Sequence, residues 1–340
     1  MKNKVNVAIV GATGMVGATL LSILEERKFP IKNLFLLASH RSKGDTRDFR
    51  GKSEKIQDVA DFDFSQTEIS FFCASNDIAA EYAPKAAEKG NIVIDKSSYF
   101  RYDPDIPLII PEVNFASLKK YKKNNIIASP NCSTIPIVIA LKSLHEKVGL
   151  TRLNIATYQS VSGTGKEAVK ELAEQTAQLL NGKPITTKVY PQQIAFNLLP
   201  HIDDFQDNGY TKEEMKLVWE IQKILQDPNL SINPTAVRVP VFYGHSAAVH
   251  LETKEPLEVE EMIALLKNQQ GIHLSLGKMP YATPAKDAAG KDDVFVGRIR
   301  KDLRNPLGIN MWIVSDNVRK GAALNAVQIA EALLLSNQDK

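Results

Sequence analysis

The chain has 340 residues, 44% hydrophobic and 24% charged, which is enough to bury substantial cores and form two domains. Its 42 basic and 39 acidic residues leave a net charge of +3, so no polybasic arm points to nucleic acid or a membrane surface. The expected partners are small molecules and another copy of the chain. Cys73 and Cys132 are the only cysteines, too few for a disulfide framework and consistent with a reducing cytoplasm. Met1-Lys2-Asn3-Lys4 leads straight into a short apolar run, with no long signal core and no stretch that could span a bilayer.

Val5–Val10 predicts a buried parallel strand, followed by Gly11-Ala12-Thr13-Gly14-Met15-Val16-Gly17 and a helix from Ala18 to Arg27. Strand, glycine turn and helix in that order suit a dinucleotide. The glycines permit the bend and a close approach to the pyrophosphate, and the helix start attracts its charge. Gly11, Thr13, Gly14, Met15 and Val16 are therefore candidates for cofactor contact. The spacing, G-x-x-G-x-x-G, is a variant of the commoner pattern, and its place between strand and helix carries the reading.

The next strand, Leu34–Ala38, ends in Ser39-His40-Arg41-Ser42. No acid follows to hold the ribose 2′-hydroxyl of NAD, whereas Arg41 with Ser39 and Ser42 could hold the 2′-phosphate of NADP. The bland alternative is that Arg41 is a solvated loop residue. Further strand-like runs at Ile69–Ala74, Ile92–Asp95, Leu108–Ile110 and Ile126–Ala128, with a helix at Ile78–Lys89, give the alternation of a doubly wound sheet.

Cys132 lies in Ser129-Pro130-Asn131-Cys132-Ser133-Thr134, directly before the apolar run Ile135–Leu141, which reads as the start of a buried helix. Partnerless N–H groups and the positive helix end favour thiolate there, so the residue can be a nucleophile at neutral pH. Taken alone, a buried inert thiol is an equal reading. The neighbours Asn131, Ser133 and Thr134 are capping residue types and tilt the balance towards an oriented thiol. Cys73 sits in an apolar strand run and reads as core.

Arg152–Ser160, Ala247–Thr253, Ile272–Leu276, Val294–Arg300 and Asn310–Val314 predict a second, mostly antiparallel sheet. Two helices interrupt it, one from about Lys166 to Leu180 and one from Lys212 to Leu225 with Met215, Val218, Ile221 and Leu225 on one face. The run Gly321–Leu335 has helical periodicity and suits a return to the first domain. The expected division is thus a cofactor domain over 1–130, with a returning helix over 316–340, and a second, catalytic domain over 131–315. Arg238-Val239-Pro240-Val241-Phe242-Tyr243-Gly244-His245-Ser246 puts an arginine and a histidine near the two ends of a short extended segment. A histidine is the natural proton shuttle for thiol chemistry, although a lone histidine is ordinarily a satisfied core or loop residue and Gly244 shifts that only partly. No His/Cys/Asp/Glu cluster has metal-ligand spacing, so no metal is expected.

Several of these segments together resemble the aspartate-semialdehyde dehydrogenase family, in its bacterial branch. The resemblance rests on the Gly11–Gly17 turn, Ser97-Ser98-Tyr99-Phe100-Arg101, Pro111-Glu112-Val113-Asn114, Ser129–Thr134 and Gln159-Ser160-Val161-Ser162-Gly163-Thr164-Gly165. It continues through Trp219-Glu220-Ile221-Gln222-Lys223, the Arg238–Ser246 segment and Ser315-Asp316-Asn317-Val318-Arg319-Lys320-Gly321-Ala322-Ala323. It implies an N-terminal Rossmann-like doubly wound sheet and a C-terminal α+β domain, and a homodimer formed through the second sheet. It also implies that Cys132 is the acyl-forming nucleophile, His245 the acid/base and Gln159 the residue orienting the intermediate. Arg238 would bind the substrate carboxylate and Glu220 its amino group. Arg101, Asn131 and Lys223 would hold phosphate, and Ser162, Gly163 and Asn317 would approach the nicotinamide end of NADP. From the residues alone, Glu220 and Lys223 read as an i,i+3 surface ion pair.

The implied reaction is the reversible, NADP-dependent reductive dephosphorylation of L-4-aspartyl phosphate to L-aspartate 4-semialdehyde through a cysteine thioester, on the route to lysine, threonine and methionine. The rivals are an acyl-phosphate reductase of the N-acetylglutamyl-phosphate or glyceraldehyde-3-phosphate type, and a non-catalytic NADP-binding redox sensor using Cys132.

Overall fold

The computed structural model describes residues 4–336, so the last positions of the expected returning helix, 337–340, lie outside the described residues. The chain divides into two compact units, one of residues up to Asn131 together with Ala322 onward, the other Cys132–Gly321. Asp316–Gly321 thus stay with the second unit and not with the returning tail.

In the first unit the order is β1 (Val5–Val10), α1 (Met15–Glu26), β2 (Ile31–Ala38), β3 (Thr46–Phe49), β4 (Lys52–Asp58), β5 (Ile69–Phe72), α2 (Asn76–Glu88), β6 (Ile92–Asp95), the short α3 (Pro111–Asn114) and β7 (Ile126–Ala128). They form one seven-stranded sheet in the order β3-β4-β2-β1-β5-β6-β7, parallel throughout except for the β3/β4 pair. The continuous apolar strands β1, β5 and β6 are buried on both faces, as parallel strands under helices must be. β2 and β5 flank β1 on opposite sides, so the strand order reverses at the end of β1, the place where doubly wound sheets bind ligands.

The second unit runs α4 (Thr134–Val148), β8 (Leu150–Gln159), α5 (Lys166–Leu180), α6 (Lys212–Leu225), β9 (Ser231–Arg238), β10 (His245–Thr253), α7 (Val259–Lys267), β11 (Ile272–Ser275), β12 (Val294–Lys301) and β13 (Gly308–Ser315). Its six-stranded sheet has the order β11-β12-β13-β10-β8-β9, antiparallel except at the two edges, where β11/β12 and β8/β9 run parallel. Along β8 the odd positions Leu153, Ile155, Thr157 and Gln159 are buried while Asn154, Ala156 and Tyr158 are half-buried, the period-2 signature of a sheet with one covered face. Helices α4, α6 and α7 supply the cover. The tail helix α8 (Leu324–Ser336) belongs to the first unit, where Leu324, Val327, Ala330 and Leu333 join Ile9, Leu20 and Leu24 in one core. No helix among the described residues is long and apolar enough to cross a membrane.

Five segments differ from the sequence expectation. β3 and β4 form a hairpin through Arg50 and Gly51, both at positive φ (51° and 73°), and their charged, mostly exposed residues carry no apolar run to find. β9 is an edge strand and so tolerates Pro234, which had masked it. α7 adds a third helix to the second unit. Leu108–Ile110 does not make a strand: boxed between Pro107 and Pro111, it reaches Ala128 through one bridge at Leu108.

Candidate active site

The first unit positions the glycine turn. Gly11 has φ +85°, and its N–H and that of Ala12 both donate to Leu37 O, at 2.8 and 3.1 Å. A Cβ on Gly11 would lie 2.6 Å from Cys73 O, and one on Gly17 would lie 2.3 Å from Gly11 O, so neither position admits a side chain. Gly14 is the N-cap of α1 and brings no side chain to cover the first-turn amides of Met15 and Val16. A bare helix start at a sheet's switch point fits the pyrophosphate of a dinucleotide. Cys73 follows β5, and desolvation pushes its thiol up to about 12, which leaves it an inert neighbour of the turn.

At the end of β2, Ser39, Arg41 and Ser42 lie on a short turn, with Ser39 and Arg41 exposed. An acid does reach this place, by topology: β4 pairs with β2 so that Asp58 stands opposite Ala38. Its Oδ1 accepts from Ala60 N–H at 3.1 Å and its Oδ2 meets His40 Nδ1 at 3.0 Å. Sequence reading missed Asp58 because it missed β4. The unit also buries Arg101, whose Nη2 donates to Lys96 O at 2.8 Å, and Asn131. Lys96, passed over in the sequence, donates to Ser129 Oγ at 2.9 Å.

The second unit assembles its polar residues at one end of the sheet. β8 and β9 run parallel and finish side by side at Gln159 and Arg238, while β10 runs the other way and starts there with His245. The Arg238–His245 segment is therefore a loop between two strands and not an extended run. His245 is buried, and its Nδ1 accepts from the Ser160 N–H at 3.0 Å. A backbone N–H can only donate, so the ring proton of the neutral imidazole sits on Nε2. Desolvation, helped by the Arg238 charge, lowers the His245 pKa to about 3. Nε2 has no partner among the described residues.

Arg238 Nη1 donates to Ser160 O at 2.9 Å. Gly163 lies bare against both groups, since a Cβ there would stand 3.0 Å from Arg238 Nη1 and 3.2 Å from His245 Nε2. Asn317 ties the loops together: its Oδ1 accepts from Gly244 N–H at 2.9 Å and from the hydroxyls of Ser160 and Ser162 at 3.1 Å each.

Cys132 immediately precedes Ser133, the N-cap residue of α4, as the apolar run predicted. The expected capping differs. Ser133 makes no side-chain cap, and its hydroxyl lies 3.5 Å from Glu213 Oε1. The backbone of Gly321 lies close against Cys132, since a Cβ on Gly321 would come within 2.9 Å of Cys132 Cβ.

Helix α6 changes the residue assignment most. Its buried face is Glu213, Leu217, Glu220, Ile221 and Ile224, while the predicted apolar positions Met215, Val218 and Leu225 are only half-buried. Glu220 is wholly buried and Lys223 half-buried, so the two do not lie on an exposed face. The carboxylate that reaches Gln159 is Glu213, whose Oε1 accepts from Gln159 Nε2 at 3.0 Å. From Glu213, Glu220 lies seven residues and Lys223 ten residues further along, about 10 and 15 Å up the helix axis. Desolvation alone would raise the Glu213 pKa, but the Lys216 charge at 3.1 Å, the Gln159 hydrogen bond and Arg238 outweigh it and leave the group ionised, near 2. The missed signal was Thr211-Lys212-Glu213-Glu214. Thr211 and Glu214 form a capping box, and Glu214 Oε1 accepts from Ala236 N–H of β9 at 2.9 Å, which fixes the first turn of α6 and with it Glu213 and Lys216.

Among the described residues no group of His, Cys, Asp and Glu could hold a metal ion. Residues 6–121 match the semialdehyde dehydrogenase NAD-binding domain and residues 141–320 the semialdehyde dehydrogenase dimerisation domain. The chain is 57% identical over 334 residues to an aspartate-semialdehyde dehydrogenase of Shewanella violacea, covering 98% of this chain and 99% of that protein. It is 46% identical over 343 residues to the enzyme of that name from Bacillus subtilis, covering 98% of each. The solved aspartate semialdehyde dehydrogenase II of Vibrio cholerae, complexed with ASA, superposes with a TM-score of 0.96 at 55% identity over 98% of each chain. With both domains matched and relatives aligned end to end, the chain belongs to the aspartate-semialdehyde dehydrogenase family, nicotinamide-dependent oxidoreductases that reductively dephosphorylate aspartyl phosphate in amino-acid biosynthesis.

Proposed function

We propose that this chain interconverts L-4-aspartyl phosphate and L-aspartate 4-semialdehyde through a thioester on Cys132, with NADP as its dinucleotide. The observation that carries the reading is Glu213 Oε1, shared between Gln159 and Ser133, the residue after Cys132. One ionised carboxylate thereby joins the start of α4 to the sheet end that holds Arg238 and His245.

Arg238 suits the substrate carboxylate, because its guanidinium is buried with one nitrogen, Nε, uncommitted among the described residues. Glu213, ionised beside Gln159, suits the α-ammonium and takes the role that the resemblance gave to Glu220. The Cys132 thiolate attacks the aldehyde carbon, and the Gln159 amide, held by Glu213, orients the thiohemiacetal. His245 is neutral, so its Nε2–H hydrogen-bonds to the oxygen where negative charge develops and keeps its proton as the carbonyl re-forms. When bound, a nicotinamide dinucleotide would supply the hydride chemistry, taking hydride in the oxidative direction and returning it in the biosynthetic one. Phosphate, which the family resemblance gives to Arg101, Asn131 and Lys223, then attacks the thioester carbonyl and releases the Cys132 thiolate as aspartyl phosphate forms.

Gly11, Thr13, Gly14, Met15 and Val16 would hold the pyrophosphate. The preference for NADP rests on Arg41, which is exposed, while Asp58 is held by Ala60 N–H and His40. Ser162, Gly163 and Asn317 form the cofactor-facing set of the second unit. The chain works as a homodimer through the sheet face that α4, α6 and α7 leave uncovered, in the cytoplasm, where a nucleophilic thiol stays reduced. The test is reduction of NADP⁺ by aspartate semialdehyde with strict dependence on phosphate, together with an acyl adduct trapped by mass spectrometry. Phosphate-independent turnover, or an adduct on Cys73, would refute it.

A further inference from the structure

Lys216 is held by two carboxylates at once, Asp203 Oδ2 at 2.6 Å and Glu213 Oε2 at 3.1 Å. Glu213 shares its helix. Asp203 comes from the loop between α5 and α6, and that loop is pinned to the same end of the sheet. Leu199 exchanges backbone hydrogen bonds of 2.8 and 3.0 Å with Arg238, and Asp204 O accepts from Lys212 N–H, at the start of α6, at 2.7 Å. Asp203 itself sits at φ +67°, a left-handed conformation that few side chains other than Asn and Asp adopt. Its Oδ1 accepts from the Asp204 N–H at 3.0 Å, which turns Oδ2 towards Lys216.

An ammonium between two carboxylates leaves one surplus negative charge. If Asp203 were neutral, Lys216 and Glu213 would cancel, and an incoming ammonium would meet an uncharged pair. The Lys216 side chain is 12% exposed and that of Glu213 8%, so water screens this pair poorly, whereas Asp203, 29% exposed, reaches it from the solvent side. We propose that Asp203 is a positioning residue that takes up the Lys216 charge, so that Glu213 keeps its own for the ammonium of the amino-acid substrate. The proposal rests on the reading of Glu213 given above.

Asp203→Asn tests it with little disturbance, since Asn is at home at positive φ and its side-chain oxygen can still accept from Asp204. The KM for the semialdehyde should rise about tenfold while kcat stays within about threefold, as expected for loss of one charged partner in binding. Asp203→Glu should recover part of that loss. Lys216→Met provides the decisive background: if Asp203 acts through Lys216, adding Asp203→Asn to it should leave the KM where Lys216→Met alone put it. Additive effects in that cycle, or an unchanged KM in Asp203→Asn, would overturn the proposal. So would a fall in melting temperature with parallel loss of kcat in both Asp203→Asn and Asp203→Glu, which would make Asp203 a folding residue only. Glu213→Gln in the same assay separates the two readings. A normal semialdehyde KM there removes the ammonium role itself, whereas a raised KM with an additive cycle removes only Asp203.

Discussion

The glycine turn of the first unit occupies the consecutive residues Gly11–Gly17, whereas the sheet end of the second unit ties Ser160 to Asn317 across 157 positions and Ser133 to Glu213 across 80. The turn works through its backbone. Its contacts are fixed by φ and by the missing Cβ atoms, and both are written in the local sequence. The sheet end works through side-chain charges that only strand order brings together, and there a neighbour decides whether a given Glu or His is ionised. Each region should therefore fail differently when altered.

The largest expected effect is from Cys132→Ala, which should abolish turnover and the acyl adduct while dinucleotide affinity, measured by fluorescence titration, stays at the wild-type value. Loss of dinucleotide binding as well would mean that the thiol supports the fold and that the contrast between the regions is false. His245→Asn should lower kcat by about 10²–10⁴-fold with semialdehyde KM roughly retained. A near-normal kcat would return His245 to the status of a buried structural histidine.

The contrast is sharpest along α6. Glu213→Gln should raise the semialdehyde KM by about 10–100-fold, on the scale of a lost charged hydrogen bond, whereas Lys223→Ala should change neither substrate KM by more than about threefold. The reverse result would restore the assignment to Glu220 and Lys223 and show that motif position outranks contact geometry. In the first unit, Arg41→Ala should weaken NADP by about tenfold with NAD little affected. Equal weakening of both would remove Arg41 as the reader of the 2′-phosphate.

The smallest effect concerns acid. The folded-state pKa of His245, about 3, lies below its ordinary value of 6.5, so between those limits the unfolded chain binds a proton that the native state refuses. Stability should fall as the pH drops below 6.5, by up to about 1.4 kcal/mol per unit from this group. Glu213 adds its own loss only below 4.5, as the pH falls towards its native value near 2. Urea unfolding of His245→Asn between pH 7 and 5 should show a flatter dependence than the wild type; identical slopes would mean that His245 titrates normally in the native state.

The residues that read correctly in isolation share a local cause. β1, the glycine turn and α1 announce themselves by an apolar run, two Cβ-intolerant glycines and a helix start, and Cys132 by the apolar helix that follows it. The hairpin β3/β4 had no such mark, and its loss hid Asp58, which arrives opposite Ala38 only through strand pairing. Glu220 entered through the family resemblance and not through its contacts, and no local feature of Lys212–Leu225 says which turn of the helix meets Gln159.

What the sequence determined by itself is the order of most elements, the dinucleotide turn and the place of Cys132 at the start of α4, because these depend on backbone conformation and burial over a few neighbouring residues. Tertiary structure alone decided which charges meet. Parallel β8 and β9 and antiparallel β10 bring Gln159, Arg238 and His245 to one end of the sheet, and the capping box at Thr211 turns Glu213 towards them. Electrostatic interactions depend on distance and on exclusion of water, and no stretch of chain specifies either until the sheet has closed around it.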